Sequence, residues 1–514
     1  MSSGAGPVIP AWNFVRRSFY QDSVTLMRLA RDMEAVAGVA RAAAMMGTPQ
    51  NRTLLRDAGL LTAEGETAGP TDLIVAVLAD GASAAEAARA AAEAALAARR
   101  PTAGPGAPRP RTLASALRAM PDATLALVSV PGAYAGAEAL KALRAGLHVM
   151  LFSDNVPLAT ERELKTLARA RGLFLMGPDC GTAIVGGVPL GFANAVRRGL
   201  IGIAAASGTG LQEVACHVAA AGEGVSHAIG VGGRDLSDEI GGLMLEPALA
   251  ALDADPDTRV VCVVGKPAGA ATLGRLRAWI GKLAKPCVAV FMGAPPRGDE
   301  PWHVAATLED AASAAVALAR GAAPAPVEFS APAADIATLV LNERLPMLRL
   351  QRFVRGLYAG GTLAYEALGI LSTRLADVAP GVAGRGQAHR VVDLGEEVFT
   401  VGRPHPMLDG TIRREWIEKE AADPATAVLL LDVVLGYGAH ADPAGEVLPA
   451  IRRARAVAGA AGRYLAVVAS VCGTEQDPQR RSAQVTALAD AGVIVMPSNA
   501  QAARLAALIA GPRV

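Results

Sequence analysis

A chain of 514 residues is long enough for several domains, and its 52% hydrophobic content leans on Ala and Gly, with 4% aromatic residues and no uninterrupted apolar run near the ~20 residues of a membrane span. Lys plus Arg (49) nearly cancels Asp plus Glu (48), so no overall field favours nucleic acid and any anion must be held locally. Five cysteines (Cys180, Cys216, Cys262, Cys287, Cys472) lack CxxC spacing, and MSSGAGPVIPAWNF lacks a signal-peptide pattern, so the expectation is a cytoplasmic protein with reduced thiols, no metal, no membrane and no nucleic-acid partner.

In chain order, Asn13–Gln21 alternates like a strand, Asp22–Ala35 has helical spacing, and Ala40–Met46 reads as a second strand. After Pro49–Leu61, Asp72–Ala79 reads as a buried strand and Ser83–Ala98 as an Ala-rich helix, giving a small α+β domain over 1–98. The Pro/Gly-rich run from Arg99 to Pro110 marks a linker, as does Gly321–Pro326. Between them, Leu125–Val130, His148–Phe152 and Leu173–Met176 alternate with the helical runs Ala135–Ala145 and Ala159–Arg171, which predicts a parallel sheet covered by helices. The turns carrying Pro131 and Gly177-Pro178-Asp179-Cys180 follow strands, where open α/β sheets collect ligands, though they serve equally as plain turns.

A second alternation, from Gly202 to Leu318, opens on Ser207-Gly208-Thr209-Gly210, and a similar turn, Gly360-Gly361-Thr362, opens a later helical run. Such a turn leaves backbone N–H groups unpaired at a helix start, where the helix dipole adds partial positive charge, so two of them could grip one phosphate or carboxylate. The plain alternative is an N-cap with close packing. Ordered matches extend the repeat: Gly208 with Gly361 (offset 153), Asp255–Val260 with Asp423–Val428 (offset 168), and Val288–Met292 with Leu465–Ala469 (offset 177). They imply two related half-domains, in which the glycine turns at Gly232-Gly233 and Gly395 align and could present N–H groups to a ligand.

The run Leu125–Ile184, ending Met176-Gly177-Pro178-Asp179-Cys180-Gly181, resembles the CoA-binding domain of the succinyl-CoA synthetase α subunit. Ser207-Gly208-Thr209 resembles the start of that subunit's phosphate-holding helix, and the second copy, with Val392-Asp393-Leu394-Gly395-Glu396, resembles the β-subunit counterpart. The resemblance covers about three quarters of the chain. Its arrangement in one polypeptide, with Val434–His440, Ser470–Pro478 and Pro497-Ser498-Asn499-Ala500-Gln501, is similar to FdrA proteins. It implies an α/β fold with a CoA-binding Rossmann-like domain (111–192) and two flavodoxin-like ligase half-domains (193–321 and 334–514).

Departures from the synthetases shape the functional expectation. Residues 1–98 are too short for a nucleotide-grasping domain, and the conventional Gly-rich CoA loop is missing. The phosphate-carrying histidine falls at His303, which lacks flanking glycines and reads more readily as a surface or packing residue. What remains is a phosphate grip beside oxyanion-stabilising turns, which suits phosphorolysis of an acyl or carbamoyl compound. The FdrA resemblance implies a subunit of oxamate carbamoyltransferase, converting oxalurate and phosphate to oxamate and carbamoyl phosphate in purine or allantoin catabolism together with other subunits. Phosphate is then the co-substrate, and CoA is bound only if the cleft of Pro131 and Gly177–Cys180 holds it. The alternatives are a subunit of an NDP-forming acyl-CoA synthetase and a non-catalytic scaffold.

Overall fold

The computed structural model describes residues 9–21, 23–98, 110–292, 298–382, 388–400 and 405–512; most of the first expected linker and Asp22, the first residue of the first expected helical run, lie outside them. The chain forms two compact units, one drawn from Met1–Ala123, Ser129–Pro131 and Glu396–Asp409, the other from Thr124–Val128, Gly132–Gly395 and Gly410–Val514.

The first unit contains β1 (Ala11–Arg16), α1 (Ser23–Glu34), β2 (Val39–Met46), α2 (Pro49–Asp57), α3 (Ala63–Glu66), β3 (Leu73–Ala79), α4 (Ala82–Ala98) and α5 (Leu113–Ala119). Its sheet is antiparallel in the order β1-β3-β2. One face packs Leu73, Val75 and Val77 against Leu29 and Met33 of α1 and Ala85, Ala88 and Ala92 of α4; the other packs Ile74 and Ala76 against Leu55 and Leu60. The expected strand Asn13–Gln21 stops at Arg16 because the chain turns at Ser18 (φ 47°), whose N–H donates to Asp72 Oδ1 at 2.8 Å. Within Pro49–Leu61, Thr48 caps α2 by accepting the Asn51 N–H, and Pro49 occupies the first turn, where its missing N–H costs nothing.

The second unit begins with β4 (Leu125–Val128), α6 (Gly132–Arg144), β5 (His148–Leu151), α7 (Leu158–Ala170) and β6 (Leu175–Met176), a parallel sheet in the order β4-β5-β6. The hairpin β7 (Thr182–Val185) and β8 (Val188–Gly191) follows, then β9 (Ile201–Ala206), α8 (Gly208–Ala220), β10 (Val225–Gly230), α9 (Leu245–Ala254), β11 (Val260–Gly265), α10 (Ala270–Ile280), β12 (Cys287–Phe291), β13 (His303–Val304) and α11 (Leu308–Ala319). These strands form one sheet in the order β13-β12-β11-β9-β10-β7-β8. The hairpin lies before the expected boundary at residue 192, yet β7 bonds to β10, so it belongs to this later sheet.

The last part contains α12 (Ala333–Arg344), β14 (Phe353–Tyr358), α13 (Gly361–Arg374), β15 (Val378–Pro380) and β16 (His389–Asp393). After α14 (Glu397–Thr400), which lies in the first unit, come α15 (Thr411–Ala421), β17 (Thr426–Val434), α16 (Pro443–Ala460), β18 (Ala466–Cys472), α17 (Arg481–Asp490), β19 (Ile494–Met496) and α18 (Asn499–Ala510). The sheet order is β15-β16-β14-β17-β18-β19, all parallel. Its central strands are buried along their whole length and mostly apolar, as burial of a parallel sheet on both faces requires, with Arg355, Asp432 and Ser470 among the polar exceptions. The orders β10-β9-β11-β12-β13 and β16-β14-β17-β18-β19 match strand for strand. Register corrects one alignment: Cys262 pairs with Val288 and its equivalent Leu430 with Val468, so Val288 corresponds to Val468 at an offset of 180 rather than 177.

Candidate functional site

Ser207 caps α8, its hydroxyl accepting the Gly210 N–H at 2.9 Å, and Gly360 stands at the same place before α13. The two helix starts meet. Ser207 Oγ lies 2.6 Å from Thr362 Oγ1, and the Thr362 N–H donates toward Thr209 Oγ1 at 3.4 Å. A Cβ on Gly210 would press on Thr362 Cγ2, and one on Gly360 on Thr209 Cγ2, each at 3.0 Å, so the approach depends on glycine at both positions. Gly208 is exposed and Gly361 partly so. Neither has the positive φ for which a glycine is needed; each is an ordinary first helical residue, and a side chain there acts by filling space.

The two starts differ in charge. The N–H groups of Ala359 and Gly360 donate to Asp432 Oδ1 (2.8 Å) and Oδ2 (2.7 Å), and Arg413 Nη2 lies 3.2 Å from the same carboxylate. Asp432 and Arg413 are buried. Burial pushes the Asp432 carboxyl up and Arg413 pulls against it; its neighbours are donors, which suits the ionised acceptor form. Part of the second turn expected to be open to a ligand is therefore occupied by a carboxylate. The same correction holds at Gly395, whose N–H donates to Asp393 Oδ1 at 2.9 Å. At α8 the first-turn N–H groups of Gly208 and Thr209 have no intrahelical partner, as at any helix start.

Beneath the paired starts lie two glutamates at equivalent positions, Glu213 on α8 and Glu366 on α13, both buried and both held by Asn499 at the start of α18. The Asn499 backbone N–H donates to Glu213 Oε1 (3.2 Å) and its side-chain amide to Glu366 Oε2 (2.8 Å); the Leu308 N–H completes the second carboxyl at 2.7 Å. Burial pushes Glu366 up to about 7. It works the same way on Glu213, but His217, with Nε2 at 3.1 Å, and the hydrogen bonds from the Asn499 N–H and Cys472 together outweigh it and hold that carboxyl below the ordinary range. These residues escaped the sequence reading, although extending the 153-residue offset five positions past Gly208 reaches Glu366.

The other candidates spread out. Gly177, Pro178 and Cys180 are buried, and a Cβ on Gly232 would collide with Pro178 O, so the turns after β6 and β10 pack together. The Cys180 thiol donates to Gly230 O at 3.3 Å and burial pushes it up to about 12, which removes it as a nucleophile. Asp179 is exposed as a residue, and crowding of its carboxyl by protein followed by the Asp154 charge pushes it up to about 6. Gly233 is open. Pro131 belongs to the other compact unit. Lys165, also missed, is fully buried on α7 and donates to Glu161 (2.8 Å), Asp235 (2.7 Å) and Val231 O (2.9 Å), locking the turn after β10 to α7. His303 is exposed on β13, three strands or about 14 Å from β9 at the usual strand spacing.

The later sequence stretches clamp the halves together. Asp477 accepts from Asn194 Nδ2 (2.8 Å) and Ala195 N–H (2.7 Å), Tyr437 N–H donates to Ala193 O (2.9 Å), and Ser498 and Gln501 bond Glu309 of α11.

A family model described as CoA-ligase matches residues 357–509, and one described as "AllF, heavy metal-associated domain" matches 10–110. YahF, an uncharacterized protein of Escherichia coli (strain K12), is 38% identical over 509 residues, covering 96% of this chain and 97% of its own. The succinate–CoA ligase [ADP-forming] subunit alpha-2 of Trichomonas vaginalis is 31% identical over 195 residues, 36% of this chain and 62% of its own length. A dinucleotide-forming acetyl-coenzyme A synthetase 1 of Ca. Korarchaeum cryptofilum, in complex with phosphate and ADP, aligns over 80% of this chain and 86% of its own at 15% identity, with a TM-score of 0.31 that is too loose to bear on the site. The N-terminal region lacks the usual heavy-metal ligands. Residues 10–110 contain neither Cys nor His, and among the described residues no group of three or more His, Cys, Asp or Glu is placed to hold a metal.

Proposed function

This chain belongs to the family of the Escherichia coli protein YahF, and from that premise we propose that it is a subunit of an acid–thiol ligase of the succinyl-CoA synthetase kind, working in the cytoplasm where an acyl group passes between phosphate and a second acceptor. The observation that carries this reading is the meeting of the two helix starts, with Ser207 Oγ and Thr362 Oγ1 2.6 Å apart. Phosphate would sit at the open first turn of α8, held by N–H groups of Gly208 and Thr209 and the hydroxyls of Ser207, Thr209 and Thr362, with Gly210 capped by Ser207 beneath it and Gly360 and Gly361 forming the opposite wall. Its oxygen attacks the acyl carbonyl, the bond to the leaving group breaks, and the leaving atom takes a proton; the turns at Gly232-Gly233 and Gly395 would flank the acyl group. The division into parts 1–98, 111–192, 193–321 and 334–514 goes with this proposal.

A second reading, the FdrA-type one, is carbamoyl transfer from oxalurate to phosphate in purine or allantoin breakdown. The position of His303, exposed and far from β9, favours it, because that reaction needs no phosphohistidine. The test incubates the full chain, alone and with candidate partner subunits, with phosphate plus either an acyl-CoA or oxalurate, trapping acyl phosphate as a hydroxamate and measuring carbamoyl phosphate directly. Phosphate-dependent loss of acyl-CoA supports the first reading and carbamoyl phosphate the second. Neither product, with no phosphate binding, leaves a scaffold and overturns both.

A further inference from the structure

Neighbouring strands of the seven-stranded sheet end side by side, β10 at Gly230, β9 at Ala206 and β11 at Gly265, at the carboxyl edge where open α/β sheets take ligands. The turn after β6 packs on the turn after β10, where a Cβ on Gly232 would meet Pro178 O at 2.6 Å, so Asp179 stands by the end of β10. Lys266 is the first residue past β11 and comes abreast of Ser207, because Gly265 pairs with Ala206. The strands β10 and β11 flank β9, about 10 Å apart at the usual spacing. Asp179 and Lys266 are both exposed, and among the described residues neither side chain has a hydrogen bond or an ion pair. They nonetheless feel each other: crowding by protein and then the Asp154 charge raise the Asp179 carboxyl, and Lys266 is the strongest pull the other way. The second cation that reaches this carboxyl, Arg234, is already engaged by Glu161 Oε2 (2.7 Å) and Val156 O (2.8 Å). Opposite charges that sense one another without closing into an ion pair leave a gap between them. The second half has no such gap: the offset of 168 that carries Val264 to Asp432 carries Lys266 to Val434, which is buried.

We propose that Asp179 and Lys266 are the two ends of a small-molecule seat across the end of β9, in which the Lys266 ammonium takes a carboxylate of the ligand and the Asp179 carboxylate takes N–H donors at its other end. This rests on the reading that the acyl substrate lies by the turn Gly232-Gly233, and it does not depend on the helix start of α8. The pair sets specificity by what each end refuses. A ligand with carboxylates at both ends meets repulsion at Asp179, and an uncharged amide leaves Lys266 without a counterion.

Isothermal titration calorimetry on the full chain tests this, with the pH held well above the Asp179 value of about 6. The probes are oxalurate and malonamate, each a carboxylate with N–H groups, against malonate, which lacks the N–H groups, and malonamide, which lacks the charge. The wild-type protein should bind the first two at least about tenfold more tightly than the others, since a hydrogen bond to a charged group is worth that much or more. Lys266→Met should remove that advantage and leave malonamide unchanged. Asp179→Asn, which suits the left-handed backbone at this position (φ 56°), should weaken oxalurate and malonamate and strengthen malonate, an opposite pair of changes that a packing role does not give. A wild-type protein that binds none of the probes or does not discriminate among them, or variants that bind all four as the wild type does, overturns the seat. The expected pattern without any acyl or carbamoyl phosphate formed keeps the seat and removes the transfer reading; product formed at the wild-type rate by both variants keeps the transfer reading and removes the seat.

Discussion

Where the second half-domain buries Asp432 and Arg413, the first buries Val264 and Leu245; where the first has His217 beside Glu213, the second has Ile370 near Glu366; and where the first has His303 on its outer strand, register places Ile494 in the second. The strand orders are nonetheless the same. A parallel sheet is specified by apolar runs and by the crossovers between them, which tolerate single exchanges, whereas charge at a helix start is set by one or two side chains. The comparison teaches that the duplicated frame is symmetric and its electrostatics are not, so exchanging residues between halves should move chemistry more than fold.

The largest effect is expected at Arg413. Arg413→Leu, which copies the first half, strands the Asp432 carboxylate and should cost about 3–5 kcal/mol in denaturant unfolding. Adding Asp432→Val should restore part of it, because an apolar pair replaces the ion pair as Leu245 and Val264 already do, while the Ala359 and Gly360 N–H groups lose their acceptor. Additive losses in the double variant would show that the two halves do not share this packing.

Next comes the glutamate pair. Glu366 has its folded-state value raised to about 7 from 4.5, so the folded protein holds a proton that the unfolded chain releases. Its stabilising contribution is fully present below about 4.5 and is lost as pH rises toward 7, about 3 kcal/mol in all at 1.36 kcal/mol per unit. Glu366→Gln should flatten stability between those pH values. His217 is also raised, so its pairing with Glu213 stabilises below the ordinary histidine range and is lost as pH rises through the folded value. His217→Ile, again a copy of the opposite half, leaves Glu213 buried without its cation; it should steepen the fall in stability toward neutral pH, and an unchanged slope would contradict the pairing.

The frame was legible because its signals are local: the apolar strands, Ser207 as a cap and the paired Gly-Thr turns all lie within a few residues of their effect. The hairpin Thr182–Gly191 was not, since only its pairing with β10 assigns it to a sheet. Asp432 did leave a trace, an acid inside Leu429-Leu430-Leu431-Asp432-Val433-Val434, but its partners Ala359 and Gly360 lie over seventy positions earlier and are found only through the fold. Glu213 and Glu366 lay within the detected repeat, yet a glutamate on a helix is ordinarily a surface residue, and only the packing of α8 and α13 against each other and against α11 and α18 buries these two.

A smaller stability effect, with a large effect on activity, is expected at Gly208. A Cβ there meets Thr182 Oγ1 at 3.4 Å and nothing closer, so Gly208→Val should change stability by roughly 1 kcal/mol or less. Crowding the first-turn N–H groups should lower phosphate-dependent turnover by more than about tenfold. Gly361→Val should do more damage to the fold, because its side chain collides with Asp393 Oδ2. Equal loss of stability in both variants would mean that the glycines serve packing alone.

The smallest effect is expected at His303. It lies on the edge strand β13, opposite Val288 and four residues back along the strand register from the Ser207 turn, so it is displaced from the helix starts both across the sheet and along it. Its equivalent in the second half, Ile494, has no ionisable group, and the sheet closes around it in the same order. His303→Ile should therefore preserve the strand and leave turnover within about threefold, whereas loss of an obligatory phosphate carrier removes nearly all of it. Labelled phosphate retained on the His303 ring during turnover, together with an inactive His303→Ile variant, would make the outer strand part of the reaction and restore a complete synthetase cycle to the first half-domain.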